Sequence, residues 1–251
     1  MDGTGSVVGA RGGTGSVVGV VGARGGAGAS VVAAALALAA ARRRVQACLV
    51  DLADAGGGLD LLLGVEGEPG VRWPDLDDAR GRLDGADLLD RLPVWCGVGV
   101  VSATPDGAAA PGSTVDVVAA LAESVVPAGG LVVLDVARGT LAGGRPAGDL
   151  LAACDEVLVV TPLDVPAVGG AVAVGRLLAG RPAALVVRRP APGRLSGAEV
   201  AHAVGLDVAA TVGWDRRVAA AVERGHGPCP RGGPLERAGR ALARRYLGAT
   251  R

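Results

Sequence analysis

The feature that most constrains this chain is the run Gly22-Ala23-Arg24-Gly25-Gly26-Ala27-Gly28-Ala29-Ser30, set between the apolar stretches Val17 to Val21 and Val31 to Ala41. A glycine-rich turn from strand to helix lets backbone N–H groups face an anion at the helix N-terminus. Ser30 falls where the hydroxyl of a phosphate-binding loop would hold Mg²⁺. Similar turns also occur with purely structural roles, so the loop counts only together with what surrounds it.

An earlier copy, Val7-Val8-Gly9-Ala10-Arg11-Gly12-Gly13-Thr14-Gly15-Ser16, echoes Val20 to Ser30. A phosphate loop needs a strand before it and a helix after it. The first copy is followed by another glycine-broken valine run, so residues 1–16 are expected to form a flexible Gly-rich extension and residues 17–251 the folded domain. Arg42, Arg43 and Arg44 close the helix that follows the second copy, where cations suit the helix dipole.

Beyond the loop, short β-branched runs alternate with helical stretches. Val45–Val50, Val94–Val101, Leu131–Leu134, Val157–Thr161 and Ala184–Val187 read as strands, with Val208–Val212 as a further one. Ser113–Val126, Pro146–Ala153, Ala167–Ala179, Gly197–Val204 and Asp215–Glu223 read as helices, and Leu235–Leu247 as a final one after a Gly/Pro-rich stretch. Such alternation predicts a doubly wound α/β fold, a mostly parallel sheet with helices on both faces. At 251 residues no second domain is required.

Composition removes whole classes of chemistry. All 25 basic residues are arginine, so a lysine Schiff base, a lysine general base and a loop lysine are excluded. The formal net charge is zero, which gives the chain as a whole no electrostatic case for wrapping nucleic acid or coating an anionic membrane. Cys48, Cys96, Cys154 and Cys229 form no CxxC pair and read as reduced, mostly buried thiols. His202 and His226 have no partners at metal-ligand spacing. Trp73, Trp95 and Trp214 fill either the core or a partner surface. The longest apolar run, Val31–Ala41, is too short to span a bilayer and carries its arginines on the wrong side for a secretory signal, so a cytoplasmic protein is expected.

Two acids complete a constellation. Asp51 ends the run Leu49-Val50-Asp51, and Asp135 ends Leu131-Val132-Val133-Leu134-Asp135, with Gly139 four residues on. Carboxylates at the carboxyl ends of parallel strands lie where ligands of open α/β sheets bind. On these residues, over Val17 to Pro228, the sequence resembles the MinD/ParA family of deviant Walker A P-loop ATPases. Val71-Arg72-Trp73-Pro74-Asp75-Leu76 and Leu158-Val159-Val160-Thr161-Pro162 resemble its actinobacterial CpaE-like and septum-site-determining subgroup.

The resemblance implies ATP or ADP with Mg²⁺ as ligand. Arg24, Gly25, Gly26, Ala27, Gly28, Ala29 and Ser30 would hold the phosphates, Ser30, Asp51 and Asp135 the metal, and Asp51 and Asp135 would serve catalysis. It further implies protein partners of the division or pilus and secretion machinery, a homodimer, and no specific nucleic acid. The departures bear on hydrolysis. The family's two lysines are replaced by Arg24 and Ala29, and the acid that positions water is replaced by Ala53, with Asp54 beside it. Loss of the second lysine removes a charge-assisted contact of about 1.5–3 kcal/mol. Where relatives read adenine with Asn, the run is Val186-Val187-Arg188-Arg189-Pro190. Arg24 could contact a phosphate, across a dimer as in relatives, or could be a solvated loop residue.

Two competitors remain at this level. One is a Rossmann-type oxidoreductase, since Gly22-x-x-Gly25-x-x-Gly28 nearly matches the dinucleotide fingerprint with Asp51 at ribose distance. Against it stand the absent Tyr/Lys pair and the unexplained Asp135 motif. The other is a non-catalytic scaffold. The last helix, with Leu235, Ala238, Leu242 and Tyr246 on one stripe, is expected to dock on its own domain in preference to a membrane.

Overall fold

The structure, a computed structural model, describes residues 15–52, 58–76, 83–104, 113–142 and 145–248. Eight strands form one sheet in the order β3-β4-β2-β5-β1-β6-β7-β8: β1 (Ser16–Gly22), β2 (Ala47–Leu52), β3 (Val94–Trp95), β4 (Val98–Val101), β5 (Leu131–Val136), β6 (Glu156–Pro162), β7 (Ala183–Arg188) and β8 (Val208–Val212). All neighbours pair in parallel except β3 with β4. The doubly wound expectation therefore holds, and its cause is visible in β1, β2, β5 and β6. These strands are apolar on both faces, as strands covered by helices on both sides must be.

One face carries α1 (Ala29–Ala41) and α9 (Pro234–Tyr246), joined in one core with Val18, Val20, Leu131 and Val133. The other carries α4 (Thr114–Val125), α5 (Arg145–Ala153), α6 (Val165–Leu177) and α7 (Gly197–Val204), packed on Val17, Val21, Val132 and Leu134. Short helices α2 (Gly58–Leu63), α3 (Gly85–Asp90) and α8 (Arg217–Val222) fill connections; α2 and α3 carried no periodicity strong enough to be read in the sequence.

α1 is apolar all round, and Val32 to Ala40 are buried because the helix is enclosed between the sheet and α9. Close approach is a matter of side-chain size. A Cβ on Gly239 of α9 would lie 2.3 Å from the Ala35 carbonyl oxygen of α1. α9 buries Leu235, Ala238 and Leu242 on this contact, and its last turn is tied down by Arg245 Nε (2.7 Å) and the Tyr246 hydroxyl (2.5 Å), both donating to Glu156 at the start of β6. The final helix is thus docked on its own domain.

Two boundaries differ from expectation. Val94–Val101 is not one strand but a hairpin, because Cys96 (φ 50°) and Gly97 (φ 85°) both take left-handed conformations, as a two-residue type I′ turn requires. Of the residues assigned to the extension on sequence grounds, Ser16 begins β1 and Gly15 packs against the end of α4. Gly15 N–H donates to Val126 (3.0 Å), and a Cβ there would meet Gly130 at 1.9 Å. The rest of the expected extension lies outside the described residues.

Candidate nucleotide site

β1 runs through the sheet centre and breaks at Gly22 into the loop, which is anchored before it turns. Ala23 N–H donates to Val160 of β6 (2.9 Å), and α6 comes so close that a Cβ on Gly170 would lie 2.0 Å from the Ala23 oxygen. Gly26 (φ 69°) and Gly28 (φ 86°) supply the left-handed turns. Among the described residues, no main-chain carbonyl accepts from the N–H of Gly25, Gly26 or Gly28. α1 starts directly after Gly28, with no side-chain cap and no acidic residue in its first turn. Among the described residues, its N-terminal donors and the positive end of its dipole therefore have no side-chain cap. By contrast α7 is closed by a Ser196/Glu199 capping box and α6 by Asp164, whose carboxylate accepts from Ala167 N–H (2.9 Å).

The loop and β5 enclose a cavity of about 460 Å³, lined by Gly22, Arg24 to Val31, and Asp135 to Arg138. A larger cavity of about 730 Å³ lies by Leu163, Val187, Arg189, Thr211 and Trp214. It has no glycine loop, and its nearby helix end is already capped, so chemistry and not size selects the first.

The two acids lie side by side in adjacent strands, Asp51 of β2 opposite Asp135 of β5, within the strands and not after them. Both are buried. Asp135 lines the cavity together with Ser30, whose side chain favours its charged form. Burial pushes its pKa up to about 7; Ser30 opposes the rise and the Asp51 charge adds to it. Asp51 accepts from Leu59 N–H (2.8 Å) at the start of α2. Ser30, Asp135 and Asp51 thus form a hard-oxygen group beneath the loop. No three-residue metal cluster of His, Cys, Asp or Glu exists among the described residues. A hydroxyl and carboxylates beside a phosphate cradle suit Mg²⁺, which binds through few protein oxygens together with phosphate.

Several supporting contacts could not be read from the sequence, even where the residues themselves stood out. Trp73, buried, donates its indole N–H to the Asp51 carbonyl (2.7 Å). Arg72 Nε donates to the buried Asp60 of α2 (2.7 Å), which also accepts from the Ser102 hydroxyl. This network fixes the main chain around Asp51 from below. Arg24 does not stand free in solvent: its guanidinium pairs with Asp164 of the same chain (2.8 Å). Arg188 donates to the Ala27 carbonyl (2.5 Å), and Arg138 to the Ala23 carbonyl (3.2 Å). Ala53 and Asp54 lie outside the described residues. Trp73 and Trp95 are core, whereas Trp214 is exposed. All four cysteines are free; Cys48 and Cys229 are buried, but Cys96 sits exposed at the hairpin tip. His202 and His226 are exposed.

Strand order separates the two nucleotide-fold readings. In a Rossmann sheet the strand with the ribose-binding acid neighbours the first strand. Here β5 lies between β2 and β1, so Asp51 faces Asp135 across a strand pair and not a ribose beside the loop. The fold is that of the MinD/ParA P-loop NTPases.

Among solved structures, the chain is similar to a ParA family ATPase from Chlorobium tepidum (TM-score 0.75, 18% identity, 91% of this chain and 97% of that one). It is also similar to the MinC:MinD cell division protein complex of Aquifex aeolicus (0.74, 18%, 94% and 97%). A third is the septum site-determining protein MinD of Pyrococcus horikoshii complexed with Mg-ADP (0.64, 17%, 91% and 94%). In sequence it is 40% identical over 213 residues to the uncharacterized protein Rv3660c of Mycobacterium tuberculosis, covering 84% of this chain. The chain spans 58% of the length of that relative. No family model matches the chain.

Proposed function

We propose that this chain is a MinD/ParA-type nucleotide-binding regulator or localisation factor, cytoplasmic, that takes ATP or ADP with Mg²⁺ and hydrolyses ATP weakly or not at all. The observation that carries the reading is the uncapped N-terminus of α1, which shares with the loop glycines a cavity lined also by Ser30 and Asp135. Anions bind such an end through backbone donors and the dipole, neither of which needs a lysine. In this reading Gly25 to Ser30 hold the phosphates, while Ser30, Asp135 and Asp51 hold the metal, which would neutralise phosphate charge. Weak turnover follows from Ala29 and Ala53, which provide neither a cation for the transition state nor an acid to position water. The Mg-ADP complexed with the Pyrococcus neighbour and the MinC partner of the Aquifex neighbour support a nucleotide and a protein partner.

The process served is septum placement, or the positioning of pilus or secretion machinery, with a homodimer as the working form. Calorimetry with ATP and ADP, with and without Mg²⁺, tests the ligand. Binding strengthened by Mg²⁺ is expected, and no binding to either would leave a scaffold that keeps only the fold. Saturable NAD(H) binding that ATP does not compete away would return the oxidoreductase. For the process, a fluorescent fusion in the native host should concentrate at septum or pole; diffuse signal throughout the cell cycle would count against a positioning role.

A further inference from the structure

The loop has no lysine, yet three guanidinium groups converge on its main chain. Arg24 donates to the Gly25 oxygen (3.1 Å), Arg138 to the Ala23 oxygen (3.2 Å) and Arg188 to the Ala27 oxygen (2.5 Å). Their situations differ. Arg24 is engaged by Asp164 (2.8 Å). Arg188 comes from β7, outside the cavity lining, and packs where a Cβ of Gly28 would be (2.2 Å). Arg138 follows β5, lines the same cavity as the loop glycines, and has no carboxylate partner among the described residues.

Strand order then says which end of a nucleotide each would meet. β1 is flanked by β5, bearing Asp135, and by β6, which leads to Asp164 and then β7. Ser30 and Asp135 would hold a metal on the β5 flank of the loop, where it would neutralise the charge of a triphosphate's outer phosphates. Arg138 stands on that flank. Among the described residues one of its five N–H donors is used, on Ala23, and the others could reach phosphate oxygens in the two-pronged geometry a guanidinium favours. We propose that Arg138 is the terminal-phosphate cation of this site, delivered from the segment after β5 in place of the side chain Ala29 lacks, so that the site prefers triphosphate to monophosphate. The inference rests on the nucleotide reading above.

The test is a set of binding isotherms on the full chain for Mg-ATP, Mg-ADP and AMP. The proteins are wild type, Arg138→Gln, Arg138→Lys, Ser30→Ala, and Arg138→Gln combined with Ala29→Lys. The ATP-to-AMP affinity ratio is the readout, because partial unfolding would weaken all ligands alike. Arg138→Gln should lower ATP affinity about tenfold or more, ADP affinity less, and leave AMP unchanged. Arg138→Lys should keep most of the ratio, and Ala29→Lys should restore it to Arg138→Gln. An unchanged ratio in Arg138→Gln, with Ser30→Ala weakening ATP, overturns the assignment of Arg138 and leaves the nucleotide reading standing. Equal weakening of all three ligands would assign Arg138 to loop support through Ala23 and likewise overturn it. A wild type that binds none of them overturns both readings.

Discussion

Asp135 is a buried acid set beside another acid, and this gives the apo protein a pH dependence whose sign can be worked out. Its pKa is pushed up to about 7, whereas an aspartate in the unfolded chain titrates near about 3.9. Between these values the folded state holds a proton that the unfolded state has lost, so raising the pH across the window removes stability. Asp135→Asn has no charge to bury. Its melting temperature should match wild type near the lower limit and exceed it by several degrees above pH 7.5; a constant difference across the range would mean Asp135 is ionised throughout. Mg-nucleotide binding should run the other way and strengthen as pH rises through about 7, since the metal needs the carboxylate. Gly28 supplies a second test. It combines a φ of 86° with an Arg188 nitrogen 2.2 Å from any Cβ, so Gly28→Ala should cost about 1–3 kcal/mol in denaturant melts. Adding Arg188→Ala should recover only the part due to the clash. The glycines, Ser30 and the two acids were readable in sequence because each is a local pattern at a strand end. The pairs Arg24–Asp164, Trp73–Asp51, Arg188–Ala27 and Arg138–Ala23 were not, since each joins segments whose adjacency is created by strand order.

At the scale of elements, the parallel strands and longer helices were legible from alternation alone. Where the reading failed, the decisive signal was a single backbone conformation. Cys96-Gly97 turns a continuous apolar run into a hairpin without the Asn or Asp that usually announces such a turn. The α1–α9 pair is the element contact most open to test. Gly239→Ala would place a methyl 2.3 Å from the Ala35 oxygen, forcing the helices apart at a cost of about 1–3 kcal/mol. An unchanged midpoint would show that α9 can slide without loss. Because the apolar stripe of α9 is spent on α1, vesicles of anionic lipid at physiological salt should not pull the protein down. Co-sedimentation that vanishes on removing residues 234–251 would show that α9 leaves its seat.

For the whole molecule, the test is whether a chain of this fold turns over the nucleotide proposed for it. If the cradle is intact and only the reacting groups are gone, Ala29→Lys should raise nucleotide affinity more than turnover, and a measurable rate should need Ala53→Asp as well. Their effects should be non-additive, because both act on one transition state. Phosphate release from wild type and the three variants decides it. Robust wild-type turnover abolished by Asp135→Ala would mean that the arginines suffice. The same architecture also has a consequence for synthesis. α1 is apolar on every side, but one of the two surfaces that cover it, α9, is made about 200 residues later. Until α9 is made the nascent chain therefore carries an exposed greasy rod next to unpaired parallel strands, and its yield in a foreign host should depend on chaperone supply more than on its final stability.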